Sequence, residues 1–239
     1  MWQVAEFHST ALFSLRPANA TTSGGKTLIT PTPYAIKMAL LDVAIRVHGR
    51  AAGEAWFPRL RDLEVAVLLP SNLMVAKTFI KILRPHHSNK IKDTYGTGLK
   101  GPMGQTIAYR ELVHFGGALQ IALRDEGKKG KEPPLASLLP QINYLGKRGS
   151  FMQCVDVREL SELENGFTRL TAASTHFKVG GLLQLLDDCG PKMTFAHANV
   201  FDKKRLTVGK ANGRILNTVV LDYRLVRSNR SFSWYQRMG

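Results

Sequence analysis

The sequence predicts a mixed α+β protein in which antiparallel strands outweigh helices, and three observations carry that expectation. A broad apolar helical stretch near the N-terminus is followed by several strand-length alternating or apolar runs. Glycine-rich breaks separate those runs, and neither a regular strand-helix-strand alternation nor a solenoid-length repeat is present. With 239 residues the chain is long enough for one large domain or two small ones, and a chain of that size buries roughly 70% of its unfolded surface. Its 44% hydrophobic and 21% charged content argue against disorder or a fibrous architecture.

Residues 8–32 are rich in Ser, Thr, Ala and Gly and end in Thr30-Pro31-Thr32-Pro33, which reads as a short strand and a long loop. A helix is expected next, with Thr32 as N-cap, Pro33 in the first turn and Gly49 as its stop. Ala35, Ile36, Met38, Leu40, Leu41 and Val43 lie on its broad apolar face. Residues 63–69 and 78–84 have strand patterns. Two further strands, 106–115 and 118–124, flank Gly116-Gly117 and are expected to pair as a hairpin. A Gly-, Lys- and Pro-rich loop follows at 125–134, and strand alternation resumes at 150–157. Residues 179–188 read as a helix stopped by Gly190-Pro191, which leaves Asp187 and Asp188 solvated at its end. One long strand is expected over 214–227, with 232–235 folding back on it across Ser228-Asn229-Arg230-Ser231. The expected organisation is a core over residues 1–160 and an α/β extension over 161–239, packed on that core or continuous with it.

Charge is the strongest functional signal. Thirty-three Lys and Arg face 18 Asp and Glu, a formal net charge of +15 that predicts attraction to a polyanion. Nucleic acid is favoured over anionic lipid, because no apolar run approaches the roughly 18 residues that span a membrane. The start, Met1-Trp2-Gln3-Val4-Ala5-Glu6, lacks the basic and apolar regions of a secretory signal, so the expected location is cytoplasmic, without a membrane partner. Residues 65–92 contain no acidic residue, and from Lys203 to Arg237 nine cations are opposed by Asp222 alone. Such stretches suit a phosphate-tracking groove. The sharpest local feature is Tyr144-Leu145-Gly146-Lys147-Arg148-Gly149-Ser150-Phe151, two cations between glycines and aromatics. It fits a backbone approaching phosphate with an aromatic stacked on a base, and equally a turn leading into a core strand.

Several motif look-alikes fail on context. Ala20 and Gly25-Lys26-Thr27 match a relaxed phosphate loop, but Pro31 and Pro33 forbid a helix starting at Thr27. Gly96-Thr97-Gly98-Leu99-Lys100-Gly101 matches a dinucleotide fingerprint, yet it leads into Pro102 and Gly104 rather than a helix. That loop fits close approach to a phosphate or a flexible surface segment. His86 and His87 are adjacent and the other histidines lack ligand spacing, so no metal site and no cofactor are expected. Cys154 and Cys189 lack metal or redox spacing and read as core residues. No nucleophile elbow is present, although metal-free RNA cleavage by a His, Tyr and Lys cluster leaves little trace in a sequence.

The segment from Phe13 through a Gly- and Ser-containing loop into Thr30-Pro31-Thr32-Pro33-Tyr34-Ala35-Ile36-Lys37-Met38-Ala39-Leu40-Leu41 resembles the handle-capping RAMP proteins of CRISPR Cascade complexes, the Cas-five family. Gly104-Gln105-Thr106-Ile107-Ala108-Tyr109-Arg110-Glu111 and Gly146-Lys147-Arg148-Gly149-Ser150-Phe151 are similar to such proteins too, and the likeness covers the N-terminal two thirds. It implies a ferredoxin-like (RRM-like) RAMP core with a β-hairpin insertion and a β-rich C-terminal extension. It further implies CRISPR RNA as ligand, held by its 5′ handle, and backbone RAMP subunits and a large Cascade subunit as partners, with target DNA a further candidate contact. The alternatives are a metal-independent endoribonuclease acting on precursor RNA, and a structural protein of another ribonucleoprotein. The nominated RNA-binding residues are Lys26, Tyr34, Lys37, Arg84, Lys90, Tyr109, Arg110, Lys147, Arg148, Ser150 and Phe151, with none assigned to catalysis or metal binding.

Overall fold

The structure, a computed structural model, describes residues 1–20, 25–85, 103–126 and 133–239. Lys90, His86, His87, the glycine-rich loop around Gly98 and most of the basic loop at 125–134 lie outside the described residues.

β1 (Trp2–Ser9) opens the chain, and α1 (Pro33–His48) begins where the Pro-rich segment ends. The Thr32 hydroxyl accepts the Ala35 amide at 3.1 Å, which satisfies one of the free amides of the first turn. Gly49, at φ +87°, ends α1 in a backbone conformation that favours glycine and leads directly into α2 (Arg50–Asp62). The two helices touch closely, since a Cβ on Gly53 would lie 2.4 Å from Ile45 Cγ1.

The strands that follow are β2 (Glu64–Leu68), β3 (Asn72–Pro85), β4 (Met103–Phe115) and β5 (Leu119–Arg124). A short helical turn, α3 (Leu135–Leu138), precedes β6 (Met152–Leu160), β7 (Thr168–Arg169) and β8 (Leu182–Cys189). α4 (Phe195–Ala198), β9 (Arg214–Leu221), β10 (Tyr223–Ser228) and β11 (Phe232–Arg237) complete the chain. Among the described residues three sheets result, ordered β6-β1-β5-β2-β7, β10-β11-β3-β4 and β8-β9, and their pairings are antiparallel. The protein is therefore a mixed α+β protein dominated by antiparallel sheets with few helices, as its sequence pattern predicts.

The main core gathers Ile36, Leu40 and Val43 of α1 with Phe57 and Leu60 of α2 over Ala5, Phe7, Val65, Ile121 and Leu123 of the first sheet. Leu186, Val219 and Leu221 join it from the β8-β9 pair, and Leu73, Val75, Val113 and Phe115 from the second sheet. The other face of the first sheet carries a smaller cluster of Trp2, Val4, Ala66 and Ala122, with the Arg124 guanidinium 4.9 Å above the Trp2 ring.

Four expectations are corrected. The strands flanking Gly116-Gly117 do not pair with each other: β4 runs against β3, whereas β5 lies between β1 and β2. Gly116 instead ends the β3-β4 ladder, its amide 3.0 Å from the Asn72 carbonyl, because a thirteen-residue match to β3 outweighs a local turn signal. Residues 179–188 are not a helix. A short apolar run is ambiguous by pattern alone, and β9 offers β8 a complete ladder from Leu182↔Leu221 to Cys189↔Arg214. The strand expected over 214–227 is broken at Asp222, so that β9 and β10 serve different sheets. Finally, Asp187 and Asp188 are buried at 5% and 4% exposure rather than solvated.

Burial of Asp188 sets a strong local constraint. Its Oδ1 lies 2.6 Å from Nζ of Lys37, a side chain 2% exposed, and 2.6 Å from its own neighbour's amide at Cys189. Lys37 also donates to the Arg61 carbonyl at 2.8 Å. Desolvation pushes the Asp188 carboxyl above the usual carboxylate range, and Lys37 opposes that push. Lys37→Met is expected to destabilise the fold by about 3–5 kcal/mol in chemical denaturation, because it strands a buried carboxylate. The double variant Lys37→Met/Asp188→Leu should recover part of that loss; recovery of none would mean the pair is not the source.

Candidate nucleic-acid interface

One end of α1 opens onto a cleft of about 500 Å3. Its floor is the apolar first turns of the helix, Tyr34, Ala35, Met38 and Ala39. Its walls come from four other places: Ser14 to Arg16, Gly25 and Lys26, Arg110 of β4, and the turn holding Tyr144, Gly146 and Lys147. Asp187 and Arg214 of the β8-β9 pair close it. Five cations therefore converge on one concavity.

Local chemistry explains how irregular segments hold this shape. The Leu15 amide donates to Thr27 Oγ1 at 2.9 Å, and the Leu28 amide to the Leu15 carbonyl at 2.8 Å, so the two loop segments run side by side. Both lie against the outer edge of β4. Phe13 exchanges two backbone hydrogen bonds with Val113 at 2.7 and 2.9 Å, and the Glu111 amide donates to Gly25 at 2.9 Å. A Cβ on Gly25 would sit 2.2 Å from the Tyr109 carbonyl oxygen, so that position requires glycine.

Glu111 is the buried anchor, 5% exposed. It accepts the Thr27 amide at 3.1 Å and the Tyr109 hydroxyl at 3.2 Å, and it pairs with Lys26 at 3.1 Å. The hydrogen bond and charge of Glu111 hold the Lys26 ammonium pKa above its ordinary value.

The Gly-Lys-Arg-Gly turn is built as its sequence suggests. Gly146 (φ +72°) and Gly149 (φ +99°) both occupy the left-handed region, and the Ser150 amide closes the turn onto the Lys147 carbonyl at 3.0 Å. Lys147 and Arg148 project from it, exposed. Tyr144 and Phe151 face each other across an isolated bridge, Tyr144 half-buried in the cleft wall and Phe151 49% exposed. Phe151 is thus a surface aromatic and not a core residue.

Four nominated residues, Lys26, Tyr34, Arg110 and Lys147, come together in the cleft, with Arg148 on the tip of the same turn. Lys37 does not join them: it is spent inside the fold on Asp188, since α1 turns its side chain toward β8. Ser150 is buried, and its hydroxyl accepts the Ser14 amide at 3.1 Å, so it braces the wall rather than facing solvent. Tyr109 neighbours Arg110 on a strand and therefore points to the opposite face, edge-on to Phe79 at 5.5 Å. Arg84 lies in β3 opposite Gly104.

Arg16, Arg214 and Tyr144 complete the site. Arg16 and Arg214 carried no separate sequence signal, because their loop and strand contexts say nothing of where the chain brings them. Arg214 pairs with Asp187 at 2.9 Å and lies 5.1 Å over the Tyr34 ring. Burial pushes the Tyr34 phenol up to about 12, so it stays neutral at physiological pH. Discounting Arg214 with Asp187 and Lys26 with Glu111, the cleft keeps Arg16, Arg110 and Lys147 without an ion pair among the described residues. Among those residues no cluster of metal-ligating side chains occurs, and no helix is long and apolar enough to cross a membrane.

The fold and the cleft define a basic, antiparallel-sheet protein with a preformed anion-attracting concavity. No family model matches the chain. Over 115 residues it is 28% identical to the CRISPR-associated protein Cas5 of Archaeoglobus fulgidus, an alignment covering 48% of this chain and 47% of that protein. The matched stretch thus spans about half the length of the curated relative. Similar solved structures include a CRISPR protein from Archaeoglobus fulgidus (TM-score 0.41, 10% identity, 100% of this chain and 92% of that one). Another is a chain of a CRISPR RNA-guided surveillance complex (TM-score 0.42, 14% identity, 79% of this chain and 77% of that one). Over that half of its length the chain is similar to a Cas5 protein, the kind its sequence motifs resemble.

Glu111→Ala should remove the brace of the cleft wall and lower stability by roughly 2–3 kcal/mol, the scale of hydrogen bonds to a buried charged group. Amide exchange at Thr27 is expected to accelerate with it. Unchanged protection at Thr27 would show that the wall is held by other contacts.

Proposed function

We propose that the chain is an RNA-holding subunit of a Cascade-type CRISPR complex, gripping the 5′ handle of CRISPR RNA and capping a filament of related backbone subunits beside a large subunit. The single observation that carries this reading is the convergence of Arg16, Lys26, Arg110, Lys147 and Arg214, with Tyr34 and Tyr144, on one concavity. Phosphates are neutralised by the cations, the glycines of the turn admit the backbone closely, and Tyr144 offers a ring to an unpaired base. The sequence similarity to a CRISPR-associated protein supports the same assignment.

The ferredoxin-like core implied by the family resemblance belongs to this reading. Setting β3 and β4 aside as an inserted hairpin, the order β1, the α1-α2 helix pair, β2, β5, α3, β6 follows strand-helix-strand-strand-helix-strand with a second helix added after α1, and its strands lie as β6-β1-β5-β2. That arrangement supports a RAMP core carrying β3-β4 as the insertion.

Holding is favoured over cutting by the side chains present. Among the described residues no histidine lines the cleft, and a phenol pushed up to about 12 at Tyr34 is a poor general base. Precursor RNA incubated with the purified chain in chelator should stay intact, and product on a denaturing gel would replace this reading with the endoribonuclease.

Binding to a repeat-derived RNA is expected to weaken steeply with salt, by roughly a thousandfold or more between low and moderate ionic strength for six to ten phosphate contacts. Lys147→Ala and Arg16→Ala should each make the log–log salt dependence shallower by about one unit. A salt-insensitive interaction would sink the proposal.

A further inference from the structure

The second sheet has a face that the cleft does not use. Register places Met74, Ala76 and Thr78 of β3 opposite His114, Leu112 and Arg110 of β4, and Phe232 and Trp234 of β11 opposite Ala76 and Met74. Arg227 of β10 lies opposite Trp234. These side chains point away from the neighbouring Leu73, Val75, Val113 and Phe115, which enter the core. No described element covers the result: Met74 is 42% and Trp234 37% exposed. Between them lies a hollow of about 290 Å3 lined by Met74, His114, Phe232, Trp234 and Arg227.

Two features of this face select its occupant. The Trp234 Nε1–H donates to Asn72 Oδ1 at 3.1 Å, so the indole's one polar group is satisfied and its ring is held in place. Among the described residues of the face there is no Asp or Glu, whereas Arg110, Arg224 and Arg227 rim it. The buried carboxylate of the same sheet, Glu111, faces the core side. An apolar peptide would use the Trp, Phe and Met, but it has no need of an acid-free cationic rim. A flat ring tethered to phosphates uses both.

We infer that this open sheet face is a second binding surface for single-stranded nucleic acid, with an unpaired base seated in the Trp234–Phe232–His114 hollow and adjacent phosphates on Arg227 and Arg110. Arg110 connects it to the cleft, since it lines the cleft wall and belongs to this face. From Arg110 to His114 is four residues of strand, about 13 Å at a strand's rise, within reach of a short run of nucleotides. A strand leaving the cleft over the edge of β4 therefore passes directly onto the hollow. The inference rests on the reading of the cleft as a nucleic-acid site.

The experiment measures binding of a labelled, mixed-sequence single-stranded RNA to the full chain across a salt series, in wild type, Trp234→Ala, Trp234→Phe and Lys147→Ala. Trp234→Ala is expected to weaken binding about tenfold with an unchanged salt slope, because stacking on an uncharged ring is lost. Trp234→Phe should keep most of the affinity. Lys147→Ala should change the slope instead. Wild-type affinity in Trp234→Ala, beside weakened binding in Lys147→Ala, overturns the second surface and leaves the cleft standing; a wild-type chain that binds no RNA overturns both. Photocrosslinking of the wild-type chain with thiouridine-substituted RNA gives a readout that needs no variant to fold. Crosslinks on peptides carrying Met74, His114 or Trp234 are expected. Crosslinks confined to the cleft, or a Trp234→Ala defect limited to binding another protein, overturn the inference.

Discussion

The contact between Lys37 and Asp188 is the constraint on which the arrangement depends. It joins the first helix to a strand that follows 151 residues later, and both partners are almost fully buried. Neither charge can be left alone there, because the desolvation cost is offset only when the ammonium and carboxylate meet at short range with further hydrogen bonds. Arg61 and Cys189 supply those bonds from the backbone. The pair thus fixes the β8-β9 ribbon against α1, and that docking carries Asp187 and Arg214 to the mouth of the cleft beside Tyr34.

A second consequence concerns how charge is sorted. A chain with net charge +15 gains nothing from cations scattered evenly; a polyanion is gripped where they converge and where opposing carboxylates are absent or occupied. In β4 the sorting follows from alternation alone. Glu111 turns inward to brace the 25–28 segment, while Arg110 turns outward, so one strand supplies a structural carboxylate on one face and a guanidinium on the other. The cleft retains Asp187, but Arg214 meets it at 2.9 Å, which leaves the remaining cations to act on what enters.

Much of the local architecture was legible in the residues. Thr32-Pro33 and Gly49 bracket α1 because capping and helix termination are local events, settled by groups within one turn. The Gly-Lys-Arg-Gly turn was legible for the same reason, since its two left-handed positions suit only glycine. Reading failed where a distant partner decides. A Leu-rich run at 182–186 satisfies the pattern of a buried helix and of a buried strand, and only the ladder with β9 chooses. Gly116-Gly117 marks a reversal but does not say which sheet each flank joins.

The sequence by itself therefore determined the α+β class, the first helix with both its ends, the excess of positive charge, and the turn that presents Lys147. Those properties arise from composition and from interactions a few residues long. Only the tertiary structure decided which cations act together. Arg16, Lys26, Arg110, Lys147 and Arg214 are separated by up to about two hundred residues of chain, and Lys37, indistinguishable from them in composition, is drawn inside by Asp188. Convergence of that kind depends on long-range strand pairing and on neutralising buried charge, and neither leaves a periodic trace in the chain.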